Sequence, residues 1–492
     1  MQPIIAGFHP DPSICRAGDW YYLANSSFEY VPGVPIHRSR DMLTWELVGH
    51  ALPDAAVVHA ATGRAGASQG VYAPTLRHHG GRFWMVTTSI ADVMRGQLIT
   101  HADDPAGPWS EPVRVDQTFG IDPDLAWDDE GACYLTYRGF APPGIHQVRI
   151  DPATGERLGE DRVIWHGSGL GESEGPHLFR RGDWWYLVVA EGGTHTGHAV
   201  SVARSRAPEG PFESNPANPI LSHRSTAHSV QATGHADLVE TADGLWALVH
   251  LGIRQRGAFP RFHVLGRETF LAGVDWAEGW PVVVEGRYEA PGADSSFDDT
   301  FEGTSLDARW VAPGVAPTDF AAASAGLRLE PSRDAESSEQ NLPLCTRLRS
   351  FAWRAVVEPG DGDLCVSVRL AADHWLGLER VGGAMRARQV SAHLDATLGA
   401  VRAEPGDRLV IEATPTVGRQ GGPGPDTIEL ALERAGERIS LARVDGRHLS
   451  TEVAGGFTGR MLALEALGGP AAVRSVALTE LEEPAPRPMP WA

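Results

Sequence analysis

The chain is predicted to be all-β, with a five-bladed β-propeller over residues 1–292 and a β-sandwich over 293–492. Three observations predict this. A strand–turn–strand unit recurs five times in the first half, and no long stretch shows the 3.6-residue apolar period of a helix. From about residue 293 the aromatic repeat gives way to short alternating strands separated by Gly/Pro turns.

The repeat begins at "DPSICRAGDWYYLA" from Asp11. It is echoed by "APTLRHHGGRFWMVTT" from Ala73, "DPDLAWDDEGACYLTY" from Asp122, "EGPHLFRRGDWWYLVVA" from Glu174 and "HADLVETADGLWALVH" from His235. Each unit reads as a leading residue, an apolar strand, a polar turn holding glycine (Gly18, Gly80 or Gly81, Gly131, Gly182, Gly244) and a second strand, which is a hairpin signal. The leading residues lie roughly 50 to 60 positions apart, enough for a four-stranded blade and its connections. The innermost strand of every blade lines the central channel. The leading side chains Asp11, Ala73, Asp122, Glu174 and His235 are therefore expected to meet at one mouth.

Three carboxylates held together repel one another, at a cost that stability alone does not explain. Their backbone also reads as rigid: Asp11 lies between Pro10 and Pro12, Asp122 precedes Pro123, and Glu174 stands two before Pro176. Converging carboxylates without a nucleophilic Ser or Cys fit glycosidic-bond hydrolysis, in which one acid is protonated and another ionised to activate water. A third raises the pKa of the first by like-charge repulsion. The residues by themselves do not assign these roles.

Other patterns carry less. "GESEG" around Ser173 matches a nucleophile-elbow motif, but β structure rather than a helix follows it. His195 and His198 in "HTGH" lack a metal-binding helix, His78 and His79 sit in a polar turn, and "GSGLG" from Gly167 opens no helix. The net charge of −21 argues against nucleic acid or an anionic membrane as partner, and no apolar run is long enough to span a bilayer. The N-terminus "MQPIIAGFHPDPS" has no basic-then-apolar leader, which predicts a cytoplasmic protein. Cys15, Cys133, Cys345 and Cys365 show no CxxC spacing, so no disulfide or zinc site is expected. The second half reads as strands such as "LRLEP", "WRAVVE", "LCVSVRL" and "TIELALER".

Six stretches, in order over nearly all of residues 3–285, resemble glycoside hydrolase family 43, in its β-xylosidase and α-L-arabinofuranosidase branch. They are "GFHPDPSICRAGDWYYLANSSFEYVPGVPIHRSRDMLTW", "GVYAPTLRHHGGRFWMVTT", "GIDPDLAWDD", "SEGPHLFRRGDWWYLVVAEGGTHTGHAV", "QATGHADLVE" and "LGRETFLAGVDW". The resemblance implies an inverting mechanism with Asp11 as general base, Glu174 as general acid and Asp122 tuning that acid's pKa. It also implies Phe28, Tyr72 (where tryptophan is frequent), Ala73, Thr194 and Arg267 around the terminal sugar, and a hydrated calcium ion beside His235, with no organic cofactor. Asp124 departs from a common serine and adds a fourth acid. "SFDDTFEGTSLDARW" resembles the start of the concanavalin-like sandwich of this family, and "GGFTGRM" its pocket-closing loop, which points to Phe457.

The expected activity is exo-acting release of xylose from non-reducing ends of β-1,4-xylo-oligosaccharides. The alternatives are α-L-arabinofuranosidase action, alone or alongside, and a non-catalytic carbohydrate-binding protein. An oligosaccharide is the expected partner, and a homo-oligomer is compatible with the sequence.

Overall fold

The computed structural model describes residues 1–58, 66–257, 260–331, 342–418 and 422–485. Five antiparallel sheets follow one another along the first half, their strands laid down from the centre outward. Blade I holds Ser13–Ala17, Trp20–Ala24, Gly33–Ser39 and Glu46–Leu52. Blade II holds Thr75–His79, Arg82–Thr87, Gly96–Ala102 and Val113–Asp116. Blade III starts with Gly120–Trp127, blade IV with Glu174–Arg181 and blade V with Val230–Glu240. These innermost strands touch their neighbours around a ring, and that of blade V meets that of blade I. The N-terminal segment closes the ring from outside, through Ile4 N–H to the Thr269 carbonyl of blade V at 2.9 Å.

The glycines predicted to sit in hairpin turns do so. In blade I, Ala17 pairs with Trp20 across a Gly18–Asp19 turn, and Gly18 takes φ +59°. That left-handed conformation is open to glycine without penalty and matches the twist of the flanking strands. Helix among the described residues is limited to single turns, such as Ala55–Val58 and Thr451–Ala454. None is long or apolar enough to cross a membrane.

The last blade strand, Trp280–Val284, is followed by a second layer pair that starts with the strand Phe297–Asp299. Eight strands form one sheet and six the other, and their inner faces share one core that includes Trp310, Trp353, Leu378, Ile411 and Leu464. The halves are stitched together. Ala312–Pro313 pairs with Tyr30–Val31, in the connection between the second and third strands of blade I, Arg347 Nε donates to the Phe8 carbonyl at 2.9 Å, and Gly314 N–H donates to the Glu29 carbonyl at 2.8 Å. Phe8, Phe28 and Tyr30 from the propeller pack with Val311, Cys345 and Met461 from the sandwich in one apolar cluster. All four cysteines are buried and free.

Candidate active site

The blade-leading side chains meet at one mouth because the inner strands are irregular there. The pairing register shifts in three of the five inner strands: between Ile121 and Asp124 in blade III, Glu174 and His177 in blade IV, and Gly234 and Asp237 in blade V. Such bulges re-aim a side chain out of the sheet plane. The backbone is left-handed at Asp11 (φ +52°), Asp122 (φ +56°) and His235 (φ +46°), and Gly175 beside Glu174 has φ +55°. Non-glycine residues seldom hold this conformation, which costs energy and concentrates at functional sites.

The result is a small cavity of about 100 Å³ lined by Asp11, Phe28, Tyr72, Ala73, Ile121, Asp122, Glu174, Thr194, His235, Arg267 and Phe457. Every residue expected from the sequence at the site stands in its wall. Phe457 arrives from the sandwich. Its ring stacks on Phe28 at 5.4 Å between centroids, lies edge-on to Tyr72 at 6.2 Å and faces the Arg267 guanidinium at 5.3 Å. Ser68 fixes this loop by accepting the Phe457 N–H at 2.9 Å, while its own N–H donates to Glu29 at 3.1 Å. Neither Ser68 nor Glu29 stood out in the sequence, since the Phe457 that Ser68 holds lies 389 residues away.

The acids differ in electrostatics. Burial by itself would raise the Asp11 pKa, but Arg267 and His235 beside it and the Ser26 hydroxyl hold it below the ordinary carboxylate value. Arg267 donates to Asp11 Oδ1 at 3.0 Å, Ser26 Oγ to Oδ2 at 2.5 Å, and His235 Nδ1 lies 3.4 Å from Oδ1. Arg267 also donates to Thr194 Oγ1 at 3.1 Å. Glu174 is pushed up to about 7, first by burial and then by the charge of Asp11. Asp122 is driven well above its ordinary value by burial and by Glu174 and Asp11; its Oδ2 accepts the Gly175 N–H at 3.1 Å. The pocket thus holds one ionised carboxylate and two carboxyls that favour their protons.

The motifs set aside in the sequence are otherwise engaged. Ser173 is buried with its hydroxyl donating to Glu191 at 3.0 Å, and His198 Nδ1 lies 2.9 Å from the Gly193 carbonyl oxygen. His79 stacks on Trp127 at 4.4 Å.

The fourth acid, Asp124, faces away from the cavity into a layer below it. There Arg77 donates to Asp124 Oδ1 and to Asp237 Oδ2, both at 2.6 Å, and lies 3.0 Å from His177 Nδ1. Calcium takes about six to eight oxygen ligands. The carboxylates that would balance such an ion under His235 are already paired with a permanently charged guanidinium. His235 itself turns Nδ1 to Asp11, and its other edge abuts Gly175, where a Cβ would stand 2.7 Å from Nε2. This arrangement does not suit the calcium ion expected there. Arg77 is a further residue that sequence reasoning missed, although it stands in the second repeat unit.

The cavity adjoins, through Thr194, Arg267 and Phe457, a larger chamber of about 730 Å³ whose lining includes His195, Thr226, Gln231, Arg261 and Glu452.

The model of Glycosyl hydrolases family 43 matches residues 1–281. The chain is 43% identical over 289 residues to a non-reducing end α-L-arabinofuranosidase of Bacteroides ovatus, which is 57% of this chain and 53% of that protein. It is 39% identical over 348 residues to a xylosidase/arabinosidase of Butyrivibrio fibrisolvens, 65% and 66% of the two chains. These matches therefore span about half to two thirds of the relatives' own lengths. Over nearly the full length, the fold superposes on a crystal structure of a xylan β-1,4-xylosidase from Bacillus halodurans, with TM-score 0.85, 26% identity and coverage of 97% and 99%. That structure shares the five-bladed propeller with a C-terminal β-sandwich. With more than half its length under one family model and the three carboxylates gathered at the propeller mouth, the chain belongs to glycosyl hydrolases family 43.

Proposed function

We propose that the protein is an exo-acting, inverting glycosidase that removes a terminal pentose, with xylose from the non-reducing end of β-1,4-xylo-oligosaccharides as the leading substrate. The observation that carries this is the opposite electrostatic bias of Asp11 and Glu174 in one small pocket. A pair of titratable groups pushed apart in this way marks the base and the acid. Glu174, protonated near neutral pH, gives its proton to the glycosidic oxygen as the bond to the anomeric carbon breaks. Asp11 takes a proton from the water that attacks the opposite face. Asp122, whose own pKa burial and Glu174 raise, accepts the Gly175 N–H and so steadies the backbone that carries Glu174.

The size of the inner cavity supports an exo mode, because Phe457, Phe28 and Tyr72 leave room for about one sugar ring. The larger chamber beyond Thr194 and Arg267 is the place for the rest of the oligosaccharide. The related α-L-arabinofuranosidase supports a second reading, release of terminal arabinofuranose, alone or in addition.

Proton NMR of the first sugar released from xylobiose tests the stereochemistry: the inverted anomer is expected, and a retained one refutes the mechanism. Paired aryl β-xyloside and α-L-arabinofuranoside kinetics, with Asp11→Ala as control, decide between the two sugars. Binding without turnover on either would leave a carbohydrate-binding protein instead.

A further inference from the structure

Beneath the catalytic cavity the five blades contribute a second ring of side chains, and one cation joins them. Arg77 of blade II reaches Asp124 of blade III and Asp237 of blade V at 2.6 Å, His177 of blade IV at 3.0 Å and the Ser13 hydroxyl of blade I at 3.3 Å. Below it the channel opens again into a cavity of about 290 Å³ lined by all five inner strands, so the guanidinium is a plug between two hollows. The contacts run upward as well. Asp237 Oδ2 accepts from Ser13 Oγ at 2.8 Å and Ile14 N at 3.0 Å, just after Asp11 and Pro12. Asp124, two residues beyond Asp122, accepts the Leu178 N–H at 2.8 Å, four residues beyond Glu174.

We propose that Arg77 is the resident cation of this channel. It balances Asp124 and Asp237, takes the place of a divalent metal, and positions the segments that carry Asp11, Asp122 and Glu174. Arginine suits the task because it stays charged and its planar fork serves two carboxylates at once. A dication brought next to it would meet a like charge and no unpaired carboxylate. Asp124 is then a structural partner of Arg77 and takes no proton in the reaction. The rate readout rests on the glycosidase reading, whereas the metal readouts below stand without it.

The test uses the full chain, dialysed against EDTA and compared with the untreated protein by elemental analysis, thermal unfolding and titration calorimetry with calcium chloride. Far less than one calcium ion per chain, no shift in melting temperature on chelation and no binding heat are expected. A stoichiometric calcium ion, or a melting temperature that falls on chelation and recovers with calcium, overturns the proposal. Arg77→Gln should lower kcat about tenfold or more with KM nearly unchanged, as loss of an outer supporting contact does, and Arg77→Lys should recover part of the loss. Wild-type kcat in Arg77→Gln refutes the positioning role. Should Arg77→Gln fail to fold, the double variant Arg77→Gln/Asp124→Asn, which also neutralises the carboxylate left unpaired, is measured in its place. A lack of turnover in the wild-type chain itself counts against the glycosidase reading and leaves the metal result to decide the proposal.

Discussion

Glu174 and Asp11 share a pocket yet are biased in opposite directions, because only Asp11 has a guanidinium within hydrogen-bond reach. A group that acts as an acid must carry its proton when the substrate arrives. Activity is therefore expected to fall as pH rises through about 7, the Glu174 value, and to fall again at acid pH only once Asp11 is protonated, below the ordinary carboxylate range. A pH profile of kcat/KM checks both limbs; a flat basic limb between neutral pH and about two units above it contradicts the acid assignment. Glu174→Ala should slow substrates with poor leaving groups by about a hundred- to ten-thousandfold and spare activated aryl glycosides by comparison, as measured on a leaving-group series. At this scale the sequence was informative where chemistry and backbone coincide. Asp-Pro pairs at repeat-equivalent positions exposed Asp11 and Asp122, whereas nothing local to Arg77 announced that four other blades converge on it.

The elements that matter most are the inner strands, and their departures from regularity do more for the site than their regular parts. Strand alternation and turn glycines made the hairpins legible, since each depends on neighbours in the chain. The bulges were not legible, because one extra residue in a strand leaves the apolar pattern almost unchanged and is fixed by what the strand packs against. Gly234, in the irregular stretch of blade V just before His235, illustrates this: a Cβ there would lie 1.7 Å from the His198 ring, which is buried and held against Gly193. Gly234→Ala is expected to destabilise the protein by about 3 kcal/mol, through overpacking at a site with no room to relax. Denaturant unfolding measures this, and a change within about 0.5 kcal/mol, the range of harmless surface substitutions, would show that the strand can shift.

Across the whole molecule, the junction of propeller and sandwich is part of the site and carries its own titration. Glu29 is buried there, and burial pushes its pKa up to about 7 from the usual 4.5. A carboxyl whose folded pKa is raised stabilises the fold when protonated, an advantage present below about 4.5 and lost as pH rises through about 7. Glu29→Gln should remove a stability loss of about 3 kcal/mol across that window, seen as a shallower fall of unfolding free energy with pH than in the wild type. Equal slopes would show that Glu29 keeps an ordinary pKa. The two-domain order was legible from the change in composition near residue 293, but the clasp of Ser68 and Phe457 was not, since it joins loops from opposite ends of the chain. That distance along the chain has a consequence for biosynthesis. A ribosome delivers Asp11, Asp122 and Glu174 well before it delivers the aromatic ring that roofs them, so an emerging propeller displays its acids uncovered. Competence to grip a sugar then comes late, when the sandwich has emerged and docked.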